Sequence, residues 1–426
     1  MINKLLVYMH NENIEYDVFH SLKYESLRDR LMADGYSYYP NFGNKVWYQG
    51  ILSEIYREDM QIDYYDYSGN TEYINDNYDA VLMPCANIFS EEFMPKLKMN
   101  TEFCNKLRIP VYVISCGIQV GIDGNIDYLV KKIGEESKKF IDSVYSTGGD
   151  ICLRGYITKA FFDKLGFDKA FVGGCPSLYQ NGSRLRINKN PDIKALKIAV
   201  NGHNSELKMP FYRKILDDRG NEFFDQDQYG EYLYTPGYMK DRSVKRIIRM
   251  DRDAGYTGCK ALSENRINMF ANVPDWMGYI IEQGFNMSFG SRIHGNIVPL
   301  LCGIPAAVHV CDSRTREIAE FYNIPAVTTN DLKKYKNIEA LYEKIDFTDF
   351  NNNFNLRYKQ FEEYLIKKGF VAKINENNIF GVKRDIEKVI VNAKDIEEFS
   401  HKFNKNRMLY YILDRALYKY HQIRKN

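Results

Sequence analysis

The sequence predicts an α/β fold built from two similar halves that face one another. Short apolar runs alternate with amphipathic stretches, which is typical of parallel strands covered by helices on both faces. This alternation stops in a polar stretch at residues 180–192 and restarts at Leu196–Val200. A chain of 426 residues also exceeds what one hydrophobic core usually supports. We therefore expect an α/β domain at 1–190, a second at 191–345, and a helical extension at 346–426.

The first half supplies six candidate strands in regular order. Apolar residues predict a helix near 46–56, after an Asn/Gly turn, and another helix that ends at Leu165-Gly166. The strands are predicted at residues 5–9, 62–65, 80–83, 110–115, 150–153 and 169–172.

The second half repeats the pattern. A strand at 196–200 is followed by a helical pattern over 265–284 that breaks near Pro274. Strands are then predicted to end at Phe289 and to span 305–310, and Asp312 or Ser313 is expected to cap the next helix. The tail from about residue 350 is expected to be helical.

Composition narrows the classes of function. The net charge is +2, which argues against a nucleic-acid binder that neutralises phosphates over its whole surface. The eight cysteines include no Cys-x-x-Cys pair and the seven histidines no His-x-x-x-His pair, so we expect no metal site and reduced, buried thiols. The apolar run at the start is too short for a signal peptide or a membrane span, so a cytoplasmic location is expected.

The stretch 288–295 is the strongest candidate for chemistry. Arg292 and His294 lie two residues apart in a turn that is flanked by glycines, between a strand and a helix start. Ser291 and Gly295 belong to the same turn, and backbone N–H groups at a helix start favour anions. The sequence therefore predicts an anion site here, with His294 as the best-placed titratable group.

Other residues at strand ends are expected to complete the site. Arg314 and Arg316 fall in the first turn of their helix, where a cation opposes the dipole at a cost of about 0.3–1 kcal/mol unless an anion is near. Pairing of these arginines with Glu317 or Glu320 is the alternative. Further candidates in ligand-facing loops are Arg154, Asn41, Ser115, Gln119 and His203. Plain turns and a surface ion pair of Arg154 remain the alternative interpretation of these.

Four segments carry a family resemblance, and they lie at residues 41–44, 153–166, 291–295 and 303–305. In this order they resemble the signature of the polysaccharide pyruvyl transferase family. The match departs from the family pattern in the first half, where Pro84–Asn87 replaces a glycine pair, Asn44 replaces an aspartate, and Cys175-Pro176 replaces Asp-Pro.

The resemblance implies a fold similar to GT-B glycosyltransferases, with two Rossmann-like domains and the active site in the cleft. It also implies transfer of pyruvate from phosphoenolpyruvate to two hydroxyls of a sugar, as a cyclic ketal, with release of phosphate. By this resemblance Arg154, Arg292 and His294 are donor-site residues. The resemblance thus implies phosphoenolpyruvate as donor substrate, and no cofactor is expected.

The expected acceptor is a bacterial surface glycan, exopolysaccharide or capsule, or its lipid-linked precursor. A nucleotide-sugar glycosyltransferase of the same architecture and a non-catalytic glycan-assembly protein are the alternatives. Residues 401–426 carry seven Lys or Arg and one Asp, a net charge of +6. A basic amphipathic helix there either contacts an anionic membrane or packs on a domain.

Overall fold

The structure is a computed structural model. It describes residues 1–8, 41–57, 59–64, 69–218, 220–226, 261, 264, 266–268, 270 and 273–370. The predicted basic helix at 401–426 and the rest of the extension beyond residue 370 lie outside this set.

The first half forms a six-stranded parallel sheet, in the strand order β2-β1-β3-β4-β5-β6. Five helices lie between its strands in the part of this half that the structure describes. In chain order the elements are β1 (Lys4–Val7), α1 (Gly43–Ile55), β2 (Gln61–Tyr64), α2 (Thr71–Asn77), β3 (Ala80–Pro84), α3 (Met94–Cys104), β4 (Val111–Cys116), α4 (Ile126–Ser146), β5 (Asp150–Leu153), α5 (Tyr156–Leu165) and β6 (Phe171–Val172).

The second half forms another six-stranded parallel sheet, in the order β12-β11-β10-β7-β8-β9. Its described elements are β7 (Ile198–Asn201), α6 (Pro210–Leu216), β8 (Glu222–Phe224), β9 (Ile267–Asn268), α7 (Val273–Glu282), β10 (Met287–Gly290), α8 (Ile293–Leu301), β11 (Ala306–Val310), α9 (Ser313–Tyr322), β12 (Ala326–Thr328), α10 (Thr329–Leu332) and α11 (Ile338–Lys344). Counted within this half, the order is the Rossmann order 3-2-1-4-5-6. The predicted fold class, two Rossmann-like α/β domains, is confirmed.

Alternation of side chains builds two cores from the first sheet. In β1, Leu5 and Val7 join one apolar cluster while Leu6, between them, joins the other. The same division separates Tyr112 and Ile114 from their neighbours in β4. Because both faces of each strand are buried, the strands read as continuous apolar runs, which is why they could be predicted.

One local prediction was wrong. The helical pattern over 265–284 contains the short strand β9, and the helix begins only at Val273. Proline is well tolerated in a first helical turn, so Pro274 marks the start of this helix and not a break. The stretch 180–192, expected to be a polar linker between the domains, begins inside a 3₁₀ helix, Pro176–Arg184, and its role as the linker stays a prediction.

The last described helix, α12 (Thr348–Lys367), packs on that 3₁₀ helix. The ring of Tyr179 contacts the rings of Tyr358 and Phe361 with centroids 5.5 and 5.0 Å apart. The chain beyond the helix then returns to the first sheet, where the Ile2 N–H donates to the Gly369 carbonyl at 3.1 Å. This helix therefore joins the two halves. The domain boundaries given above stay predictions.

Gly290 provides a test of the close approach between β10 and β7. A Cβ atom built on Gly290 would lie 1.8 Å from the carbonyl oxygen of Asn201. We expect Gly290→Ala to lower the free energy of unfolding by about 1–3 kcal/mol or to prevent folding, because the backbone must move apart. Gly220→Ala is the control, since the nearest atom to its added Cβ is 3.5 Å away. Urea unfolding of both variants measures the difference, and equal stabilities would contradict this account.

Candidate active site

The site lies where the strand order of the second sheet reverses. β7 and β10 are neighbours in this sheet, although the chain runs outward from them in opposite directions. Open α/β sheets bind ligands outside the carboxyl ends of the strands at such a switch point. Asn201 ends β7 and Gly290 ends β10, so the turn that carries Arg292 and His294 starts at this position.

A buried amide network shapes this turn. The Asn201 Oδ1 atom accepts a hydrogen bond from the Arg292 N–H at 3.0 Å. The Asn201 Nδ2 group donates to Asn296 Oδ1 at 3.1 Å, and the Asn296 Nδ2 group donates to the carbonyls of Gly290 and Arg292 at 2.9 and 3.1 Å. Asn201 and Asn296 are fully buried. Buried polar networks whose members are satisfied are rigid, so the turn is held in place before any ligand binds.

His294 lies in the first turn of α8 and faces three cations. Burial, followed in size by the positive charges of Arg154, Arg314 and Arg292, lowers the pKa of His294 to about 3. Its Nε2 atom lies 4.0 Å from the Cys175 sulfur. The imidazole is therefore neutral near pH 7 when no anion is bound.

Arg154 comes from the first half and is almost completely buried. Its side chain is 4% exposed, and its Nε and Nη2 groups donate no hydrogen bond to any residue that the structure describes. Burial lowers the pKa of Arg154, and the nearby Arg314 lowers it as well. A buried guanidinium with unsatisfied donors is costly unless it has an anionic partner.

Glu317 joins the two halves beside Arg154. Its carboxylate accepts hydrogen bonds from the Thr158 N–H at 2.5 Å and from the Thr158 hydroxyl at 2.9 Å. It therefore caps the N-terminus of α5, immediately after Arg154, from a helix of the other half. A Cβ atom built on Gly155 would lie 2.3 Å from Glu317 Cγ, so glycine is required for this approach.

Glu317 gives a pH dependence whose sign can be stated. Burial raises its pKa from 4.5 to about 7, against the hydrogen bonds of Thr158. Between these pH values the folded protein keeps a proton that the unfolded chain loses, so this group's contribution to stability is complete below pH 4.5 and is lost as the pH rises through about 7.

We expect Glu317→Gln, which cannot ionise, to escape that loss. The stability of the variant relative to the native protein should rise by about 1–3 kcal/mol between pH 5 and pH 8. Urea unfolding of both proteins across this range measures the difference. A stability difference that stays constant with pH would show that Glu317 is ionised throughout.

Arg314 does not pair with Glu317 or Glu320. Its Nε and Nη2 groups donate to Asp312 Oδ2 at 2.8 and 2.6 Å. Asp312 caps α9 by accepting a hydrogen bond from the Thr315 N–H at 3.0 Å, as predicted. The partner of Glu320 is Arg316, at 2.7 Å. The Asp312 carboxylate thus holds the Arg314 side chain. The positive charge of Arg314 in turn lowers the pKa of His294 and of Arg154.

The predicted loops of the first half occupy different positions. Ser115 is fully buried at the end of β4 with a φ of 60°, and its hydroxyl has no partner among the described residues. Gln119 accepts a hydrogen bond from the Asn87 amide. The following Val120 N–H donates to Ser313 Oγ at 3.0 Å, so this loop docks at the start of α9.

Asn41 approaches the site through Gln226. Asn41 Oδ1 accepts the Gly43 N–H at 2.9 Å at the start of α1. A Cβ atom built on Gly43 would lie 2.1 Å from Gln226 Oε1, and one on Gly295 would lie 2.7 Å from Gln226 Nε2. Both helix starts therefore pack against the same buried amide, and the two glycines make room for it.

Ser291 and His203 both donate hydrogen bonds to the Glu206 carboxylate. The Glu206 Oε2 atom accepts the Ser291 hydroxyl and, at 3.2 Å, the His203 N–H. Glu206 also lies close to His309 and Cys311, and the potential ligand atoms of these three residues all lie within 4.8 Å of one another. They are the residues in the described ranges that could hold a metal ion.

Sequence reasoning missed several residues that build the site. Asn201 could have been found, because a polar residue that directly follows a buried apolar run marks the end of a strand. The sequence suggests Glu317 only as a partner of Arg314 or Arg316. Glu317 could not have been placed by spacing, since it contacts a segment distant in the chain. Glu206 lies three residues after His203, a capping spacing, but its contacts with Ser291, His309 and Cys311 join distant segments.

The chain matches a known protein family over most of its length. The family model described as polysaccharide pyruvyl transferase matches residues 9–313. No curated protein matches the chain. In the described part of the chain, no helix is long and apolar enough to cross a membrane.

Two solved structures resemble the chain at low identity. One is a candidate UDP-N-acetylglucosamine 2-epimerase from Listeria monocytogenes, 10% identical over 86% of this chain and 96% of that chain, with a TM-score of 0.41. The other is the glycotransferase of kitacinnamycin, 13% identical over 86% of this chain and 95% of that chain, with a TM-score of 0.29.

Proposed function

The chain belongs to the polysaccharide pyruvyl transferase family, and we propose on that basis that it transfers pyruvate from phosphoenolpyruvate to two hydroxyls of a glycan sugar. The product is a cyclic ketal, and phosphate is released. The family supports pyruvate transfer to a polysaccharide in general. The phosphoenolpyruvate donor and the ketal product are our proposal, and the positive charge around His294 supports an anionic donor.

The proposal rests on the burial and the unsatisfied hydrogen-bond donors of Arg154. Its guanidinium is buried, two of its nitrogens lack a partner among the described residues, and its charge acts on His294 together with those of Arg292 and Arg314. Such a concentration of positive charge favours a small, highly charged anion. Phosphoenolpyruvate fits because it carries a carboxylate and a phosphate of about −1.5 to −2 charge.

Arginine suits both anionic groups of this donor. Its planar guanidinium binds carboxylate or phosphate through two parallel hydrogen bonds and stays charged at all relevant pH values. We assign one anionic group to Arg154 and the other to Arg292 and the N–H groups in the first turn of α8, with Ser291 and Gly295 shaping that turn. Arg314 adds charge while held by Asp312.

We assign proton transfer to His294. In the absence of donor the three arginines and burial keep it neutral. A bound donor would cancel much of their charge, so the pKa of His294 rises when the donor binds. It can then protonate the methylene carbon of phosphoenolpyruvate, which leaves C2 open to attack by a sugar hydroxyl.

The overall reaction balances without a redox partner. Two C–O bonds to C2 form from the two sugar hydroxyls, and the C2–O bond to phosphate breaks. One hydroxyl proton ends on the new methyl group, through His294, and the other leaves with phosphate. We place the acceptor on the side of the first half, near the loops that carry Asn41, Ser115 and Gln119, with His203 across from them.

A single assay tests the proposal. Purified full-length protein is incubated with phosphoenolpyruvate and a panel of surface glycans and lipid-linked sugars, and phosphate release is measured together with the mass of the glycan. We expect both phosphate release and the mass gain of a pyruvate ketal. Transfer from nucleotide sugars, with no turnover of phosphoenolpyruvate, would overturn the proposal.

Residues 401–426 lie outside the described residues, and their membrane role stays a prediction. If the acceptor is lipid-linked, a basic amphipathic helix would hold the enzyme at an anionic surface. We expect removal of 401–426 to reduce sedimentation with anionic vesicles and to leave turnover of a water-soluble acceptor unchanged. Equal vesicle binding by both proteins would contradict a membrane role.

A further inference from the structure

Three side chains at the carboxyl end of the second sheet form a cluster that the proposed function does not use. His309 and Cys311 lie two residues apart at the end of β11, so they point to the same side. Glu206 follows β7, two strands away in the same sheet. The Cys311 sulfur lies 3.2 Å from Glu206 Oε1 and 4.0 Å from His309 Nδ1.

We propose that Glu206, His309 and Cys311 form a binding site for a divalent transition-metal ion of the zinc class. Zinc takes carboxylate, imidazole and thiolate ligands in tetrahedral geometry. With its usual bond lengths, the sulfur would lie about 3.6 Å from each of the other two ligand atoms. The separations found here, 3.2 and 4.0 Å, bracket that value. Small side-chain adjustments therefore complete the site.

The surroundings of His309 match those of a metal ligand. Histidines that bind a metal through one ring nitrogen usually hydrogen-bond through the other, which fixes the ring. His309 Nε2 lies 3.0 Å from the Thr329 hydroxyl, so Nδ1 is the nitrogen that faces the cluster. Tyr212 Oη lies 2.9 Å from Nδ1 and would turn to Glu206 when an ion takes its place.

The charges of the three side chains and the exposure of Cys311 to solvent also suit a metal ion. Glu206 is buried, and its hydrogen bonds come from a hydroxyl, a backbone N–H and the Cys311 thiol. Binding of the ion would replace the thiol proton, which is released to solvent, and the carboxylate and thiolate would balance the ion's two charges. Cys311 is exposed, which gives the ion a path from solvent. Three protein ligands leave the fourth position for water or another group.

The absence of a spacing motif in the sequence is explained by this geometry. His309 and Cys311 are close in the chain, but Glu206 is brought to them by the order of the strands. The ion would connect the loop after β7 to the end of β11, beside Ser291 in the turn after β10. It would stabilise the wall of the candidate active site without contact to the donor.

Cobalt titration of the full-length protein tests the site. Co²⁺ bound to a thiolate gives a charge-transfer absorption band, and tetrahedral Co²⁺ gives intense visible bands. We expect both to reach saturation at one equivalent and to disappear when Zn²⁺ is added. Absence of these bands at one equivalent of Co²⁺ would overturn the proposal.

Matched variants assign the ligands. Cys311→Ser, at an exposed position, should abolish the charge-transfer band, whereas Cys302→Ser should leave it unchanged. Glu206→Gln keeps the shape of the side chain and should weaken Co²⁺ binding at least tenfold, with an unchanged circular dichroism spectrum. A band that persists in Cys311→Ser would place the ion elsewhere and refute the site. Pyruvyl transfer is scored separately, so its failure does not affect this test.

Discussion

Replacing Arg154 with lysine will reduce kcat/KM for phosphoenolpyruvate by about 10- to 100-fold. Lysine keeps the charge but loses the planar pair of donors, and each hydrogen bond to a charged group contributes about 1.5–3 kcal/mol. Because Arg154 is only 4% exposed, solvent replaces few of the lost contacts. Steady-state kinetics at varied donor concentration, with acceptor saturating, measures the change.

Arg108→Lys is the matched control for this substitution. Arg108 lies on the surface, where it pairs with Glu72 at 2.9 Å, and exposed ion pairs contribute little. We expect its kinetics to equal those of the native protein. Unchanged donor use in Arg154→Lys, with normal folding, would place the donor away from Arg154 and would remove the main support for the proposed function.

Replacing His294 with glutamine will lower kcat by about 10²- to 10⁴-fold, the usual contribution of a positioned acid or base. The KM for phosphoenolpyruvate should change much less, because Arg154, Arg292 and Arg314 supply most of the positive charge at the donor site. If KM rises and kcat stays the same, His294 is a phosphate ligand and not the proton donor.

The pH dependence of His294 provides a second measurement. Burial and three arginines lower its pKa to about 3 in the donor-free protein, so it stays neutral above that pH. The pH profile of kcat/KM, which reports the free enzyme, should show no ionisation of His294 between pH 5 and 8. NMR titration of the ring should show its pKa rising when phosphoenolpyruvate is bound. A pKa that does not change with donor would contradict its role as the acid.

The sequence alone was enough to predict features that depend on neighbouring residues. β4, at Val111–Cys116, is fully buried and was visible as an apolar run. The cap of α9 by Asp312 and the end of α5 at Gly166 follow from local hydrogen bonding and backbone conformation. The turn with Arg292 and His294 was found for the same reason, since both residues lie within three positions of each other.

Segments with short or mixed patterns were predicted poorly. β9 has two residues, too few to show a period, and it forms because it pairs with β8. The 3₁₀ helix after β6 looks polar in sequence, yet its Tyr179 is fully buried because α12 returns to cover it. Pairing and coverage by distant segments decide such cases, and no local pattern records them.

Tertiary structure alone decided which charges meet. The turn with His294 was recognisable as an anion site from its own residues. The low pKa of His294, however, depends on burial in the packed fold and on Arg154, which is 140 positions earlier in the chain. Glu317 caps a helix of the other half, and Glu206 reaches His309 and Cys311 only through the strand order. Local sequence determines the backbone conformation of a few residues, because the hydrogen bonds that form caps and turns join residues close together in the chain. The electrostatic environment of His294 and the cluster of Glu206, His309 and Cys311 arise from contacts between distant segments. Only the packed fold creates such contacts.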